Sequence, residues 1–234
     1  MIGRLFSHAT GLLFLCFIGG VALPGTHRIV VPESYGLTEI APGIWTDAPG
    51  RRGDLLALLN EAKGRVDAFF GDTSRKPNAI LCATDTCAKN FGIGGNGLSI
   101  AHVAIMVSPG GLTLGTLTHE LTHFRLHRAL GPRNLVQQPF PTWFDEGLAT
   151  HVANHPRWNG TVTQAARNRV REVGRFWQLN NAFRELGVGM TYRAAAAEVA
   201  AIERNIARSG LLELIERTEA GEGFDDVLNE IRAR

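Results

Sequence analysis

His119-Glu120-Leu121-Thr122-His123 is the segment whose residue types and spacing say most about chemistry. On a helix, positions i and i+4 lie one turn apart on one face. Two imidazoles so placed reach a single ion about 2.0–2.1 Å from each ring nitrogen. Glu120, offset by about 100° around the helix, reaches a water on that ion rather than the ion itself, as a general base should. Two histidines leave a zinc one protein ligand short, with a fourth position for water. Three sources of that ligand follow. His127 continues the row at i+8, but about 12 Å along the axis from His119 is too far to share an ion, so it reads as a supporting or surface histidine. His151 and His155 form a second i, i+4 pair with ligand chemistry of its own. Glu146 lies in Pro141-Thr142-Trp143-Phe144-Asp145-Glu146-Gly147-Leu148-Ala149. Asp145 and Glu146 there either favour a helix dipole or include one inward carboxylate, and the aromatics before and Gly-Leu-Ala after them suit a buried helix of the second kind.

These groups need helices to carry them and a strand beside them. Leu114, Leu117, Leu121, Phe124 and Leu130 fall near one stripe and predict a helix over 112–130, stopped by Gly131-Pro132. A short helix is expected from Thr142, whose hydroxyl would cap it while Asp145 completes a capping box. Helical patterns follow at 164–179, at 192–208, and around Leu212 and Val227. Upstream, Ile40 and Gly43–Thr46 suggest a short strand between turns. Leu55, Leu58, Leu59, Ala62, Val66, Phe69 and Phe70 make a helix closed by Gly71. Residues 78–83 read as a buried strand, 92–97 as a glycine-rich loop, and 99–107 as one long strand ended by Pro109-Gly110-Gly111. The expected fold is α+β: one catalytic domain over 25–234, with strands in its front part, about 25–110, and helices over 111–234.

The chain has 234 residues and 24 Lys plus Arg against 22 Asp plus Glu. That balance gives no field of one sign to hold nucleic acid or an anionic membrane. Residues 1–24 join Arg4 to an apolar run, Gly11–Pro24, shorter than the roughly 20 residues a spanning helix prefers. This predicts a signal peptide, and hence export, with an uncleaved membrane anchor as the alternative because Val21-Ala22-Leu23 is a poor cleavage site. Cys16 lies inside that segment, which leaves Cys82 and Cys87 as the pair expected to form a disulfide after export. Asn159-Gly160-Thr161 is a glycosylation pattern with meaning only in a eukaryotic secretory pathway.

HELTH followed after 22 residues by the glutamate of PTWFDEGLATH resembles the gluzincin metallopeptidases, the small HExxH-and-Glu zinc peptidases with a peptidase MA-like domain. The same arrangement, with a shorter spacer and Asn at the place of Asp145, is similar to the gluzincin aminopeptidases and, more distantly, to thermolysin. The likeness covers about residues 78–155. It implies a zincin-like fold, zinc on His119, His123 and Glu146, Glu120 as general base, a peptide or protein substrate, and 99–107 as the edge strand that aligns it. No Gly-x-Met-Glu-Asn segment is present, so endopeptidase rather than aminopeptidase action is expected. The oxyanion-stabilising residue is not fixed by motif. Tyr192 and His151 are the candidates. The alternatives are a catalytically inactive, zinc-bearing exported binding module, and a purely structural helical domain.

Overall fold

The computed structural model describes residues 26–73, 75–128, 138–155, 158 and 160–234. The N-terminal apolar run, Leu130 with the Gly131-Pro132 stop, and Asn159 lie outside the described residues. The fold is mixed α+β, with a small sheet and mostly helical remainder.

Five strands form the sheet: β1 (Thr38–Ala41), β2 (Ile44–Thr46), β3 (Asn78–Leu81), β4 (Gly97–Ile100) and β5 (Ala104–Val107), in the spatial order β1-β2-β3-β5-β4. The outer pairs, β1 with β2 and β4 with β5, are antiparallel, while β2, β3 and β5 run parallel. Alternation sends Ala79, Leu81, Ile105 and Val107 to one face, into the main core, and Ile80, Cys82 and Met106 to the other, against Phe91 and Ile93. Cover on both faces is why β3 and β5 read as unbroken apolar runs.

The same uniformity hid a turn. Residues 99–107 are not one strand: the chain reverses at Ala101, where φ is 44°, and Val103 N–H closes the turn on Ile100 O. The edge strand is therefore β4, and β5 is internal. No Gly, Pro or Asn marks this reversal, so its sequence signal is absent.

Helix α1 (Arg52–Phe70) buries Leu55, Leu59, Ala62 and Val66 and ends at Gly71 in the left-handed region, φ 74°. Helix α2 (Asp85–Asn90) is capped by Thr84, whose hydroxyl accepts from Cys87 N–H. A Cys82–Cys87 disulfide ties it to the end of β3. Helix α3 (Leu114–Leu126) starts at the Thr113 cap and stops four residues short of the expected 130. Its buried Leu117, Leu121 and Phe124 pack in the core with α1.

Helix α4 (Thr142–Ala153) has Pro141 as its N-cap and makes no side-chain cap. The expected Thr142–Asp145 capping box does not form. Instead Thr142 N–H and Trp143 N–H donate to the carbonyls of Gly174 and Val173. Those carbonyls belong to the break that splits the predicted 164–179 helix into α5 (Gln164–Arg171) and α6 (Phe176–Leu186). Capping from a distant segment frees the Asp145 side chain for other work. Helix α7 (Val188–Glu219) is broken at Ala207, and α8 (Phe224–Arg232) closes the chain. An added Cβ at Gly147 of α4 would stand 2.5 Å from Ala195 O of α7, so the two helices meet backbone to backbone there. Among the described residues, no helix is long and apolar enough to cross a membrane.

Candidate metal centre

Successive turns of α3 bring the Nε2 atoms of His119 and His123 to 3.0 Å from each other. Glu146, in the first turn of α4, places Oε2 3.4 Å from the first and 3.5 Å from the second. Donors about 2.0–2.1 Å from a tetrahedral ion stand about 3.3 Å apart, so these separations suit three ligands of one cation. Glu146 Oε2 is also buried without a hydrogen-bond partner. Such an orphan costs about 1–3 kcal/mol unless something satisfies it. A metal ion fits the residues present.

One residue earlier, Asp145 faces the other side of His123. Its Oδ1 lies 2.8 Å from His123 Nδ1 and its Oδ2 lies 2.8 Å from His127 Nε2. A carboxylate only accepts, so both ring nitrogens carry protons towards it, and the His123 Nε2 lone pair is left facing Glu146 and His119. Burial opposes ionisation of Asp145, but the neighbouring His127 and His123 overcome it and hold the carboxyl well below the ordinary range. Against the same burial penalty, His123 and His119 pull Glu146 down to about 2. Burial alone would lower His123, yet Asp145 and Glu146 raise it well above its usual value. Protons and a cation therefore compete for this ring.

Glu120 is 7% exposed. Burial pushes its pKa up, over the downward pull of His119 and His123. A Cβ on Gly97 of β4 would come within 2.6 Å of Glu120 Oε1, so the strand backbone lies on this carboxylate and only glycine fits. A cavity of about 550 Å³ opens here, lined by Asn96, Gly97, His119, Glu120, Trp158 and Tyr192 among others.

Tyr192 meets His119 edge-on at 5.8 Å between ring centroids and is packed by Trp158 and Phe183. The charge of Glu146, with burial and Glu120, raises its pKa, so the phenol keeps its proton and stays a donor. His151 is not brought to this cluster. Its Nε2 is 2.6 Å from Glu203 Oε2, and its ring lies against Phe69. His155 packs on Gly115 at the start of α3, where a Cβ would overlap its ring, and it too lies outside the three-ligand set. His127 lies outside the His119, His123, Glu146 set and meets Asp145 instead. The role of Asp145 was missed. Its signal was an acid adjoining Glu146 opposite a His123, His127 row at i, i+4, masked by the competing capping-box pattern.

No family model, curated protein or solved structure matches the chain.

Proposed function

We propose that the protein is a zinc-dependent peptide hydrolase of the gluzincin type, with a zincin-like fold, working in an exported compartment. The observation that carries this reading is the place of Glu120: a buried carboxylate between the His119, His123, Glu146 set and the edge strand of a sheet. A purely structural pair of histidines requires no such neighbour. Two histidines and one carboxylate are a ligand set for zinc at a catalytic site. The Cys82–Cys87 disulfide suits an oxidising compartment.

Bound zinc would supply Lewis acidity, polarising a carbonyl and acidifying water. Glu120 takes a proton from the attacking water and returns it to the leaving amine. Its raised pKa suits both halves of that exchange. Tyr192 donates its O–H to the oxyanion as charge develops. Asp145 fixes the tautomer and angle of His123. The outer edge of β4 receives an extended substrate by backbone hydrogen bonds, antiparallel or parallel, beside Glu120.

Metal analysis and peptide hydrolysis on two variants test the reading. Glu120→Gln should keep about one zinc per chain while hydrolysis falls by roughly a hundredfold or more. Glu146→Gln should lose metal and activity together, because an amide is a weak zinc ligand. Exchange of these two behaviours would refute the roles. Stoichiometric zinc with no hydrolysis of any peptide by the wild type would leave a zinc-bearing binding module.

A further inference from the structure

Behind Trp158 lies a second, smaller cavity of about 230 Å³, between α4 and α7. Its lining includes Arg193, His151, His155 and Thr150, and no carboxylate among the described residues. Two polar atoms of this lining are buried without a hydrogen-bond partner: Arg193 Nε and the Thr150 hydroxyl. Thr150 is only 2% exposed. The other arginines held between helices of this fold have acids to meet. Arg125 has Asp72 and Glu219, and Arg167 has Glu198. Arg193 has no ion-pair partner among the described residues. A half-buried guanidinium left unpaired carries a desolvation cost that an anion removes.

The guanidinium also stands next to the main cleft. Gly189 lines that cleft, and a Cβ on Gly189 would be 3.7 Å from Arg193 Nη1 and 3.9 Å from the Trp158 ring. These residues are i and i+4 on α7, on one face of the helix. Trp158 lines both cavities. Tyr192, the residue before Arg193, reaches His119. Among the described residues, the lining of the main cleft includes no lysine or arginine.

We infer that Arg193 is a specificity-determining residue that binds a carboxylate of the substrate close to the bond being cut, with the Thr150 hydroxyl as a second donor at the inner end. Planar guanidinium and planar carboxylate match as a forked, charge-assisted pair. The carboxylate belongs either to an acidic side chain or to the C-terminus of a peptide. The inference rests on the hydrolase reading for its substrate, and on the second cavity for its site.

The test uses the full chain loaded with zinc and a library of short peptides. Each position is made in turn as Glu or Gln, and each peptide as free acid or amide. The carboxylate form should be preferred at one position by about tenfold or more in kcat/KM, the size of a charged hydrogen bond. Arg193→Gln should bring that ratio to about one, and Arg193→Lys should restore part of it. Preference for Glu over Gln assigns an acidic side chain, and preference for acid over amide assigns the C-terminus. Calorimetric binding of the same peptides reads the contact without turnover. Carboxylate-dependent binding that Arg193→Gln abolishes, with no hydrolysis of any peptide, supports the contact and removes the hydrolase reading. A ratio unchanged in Arg193→Gln, or no carboxylate dependence in either measurement, overturns the inference.

Discussion

Helix α3 holds two polar clusters a few residues apart, and they differ in kind. At its middle, His119 and His123 meet Glu146, and Asp145 stands behind His123. Near its C-terminal end, Arg125 reaches Asp72 through two nitrogens, at 2.8 and 3.2 Å, and Glu219 at 3.6 Å, with its guanidinium over Phe70. The second cluster carries its own positive charge and pins the ends of α1 and α7 to α3. The first brings lone pairs together and leaves a carboxylate oxygen unmatched. Permanent cations close a site against ligands, whereas imidazoles that can give up their protons beside a carboxylate leave a place for something else to complete. Burial is shared by both. The protonation chemistry of the partners makes one structural and the other open.

The sharpest way to break this contrast is Arg125→Met. It leaves Glu219 buried without its main partner and should lower unfolding free energy by about 3–5 kcal/mol in urea titrations. Metal bound per folded molecule should be unchanged. Metal loss without destabilisation would mean that the two clusters are not separate. Next, Asp145→Asn should weaken metal affinity about 10- to 100-fold in chelator competition, since the charged acceptor that orients His123 becomes a neutral amide. If affinity held, Asp145 would serve only His127.

Gly147→Ala forces a methyl against Ala195 O and should cost about 1–3 kcal/mol of overpacking, read as a lower urea midpoint. Glu146 sits one residue away, so metal affinity should fall as well, unlike in Arg125→Met. The smallest effect is expected for Asp72→Asn. Its hydrogen bond with Arg125 holds Asp72 below the ordinary carboxylate value, so the stability it contributes is present above that value and is lost as pH falls through the depressed one. Wild type and variant should differ by within about 1 kcal/mol near neutrality and converge in strong acid. A gap that persists in acid would point to packing rather than charge.

What the sequence made legible follows physical range. Leu55, Leu59, Ala62 and Val66 fix α1 because a periodic stripe is a local property, and His119 with His123 needs only a helix to become a pair. The likeness that singled out Glu146 over His151 and His155 compensated for a contact across 22 intervening residues. Unreadable features were those made by distant partners. Val173 and Gly174 cap α4, which no pattern near Thr142 announces. Ala101 turns the chain inside an apolar run because pairing of β4 on β5 rewards the reversal. Arg193 looked like any charged residue on a helix. What distinguishes it is the lack of an acid opposite among the described residues, visible only once α4 and α7 are packed.

The two margins of the sheet complete a different contrast. β1 carries the charged Glu39, whose carboxylate accepts from Gly43 N–H, and a register shift between Glu39 and Ala41. β4, Gly-Leu-Ser-Ile, has neither charge nor bulge. A bare margin recruits any extended chain, including another copy of the same protein. The colloidal risk is limited by length alone, because four residues give too few hydrogen bonds to hold a second sheet. Lengthening this strand would add open hydrogen-bonding edge at the expense of solubility, and fibrous or amorphous deposits would be the first sign of having gone too far.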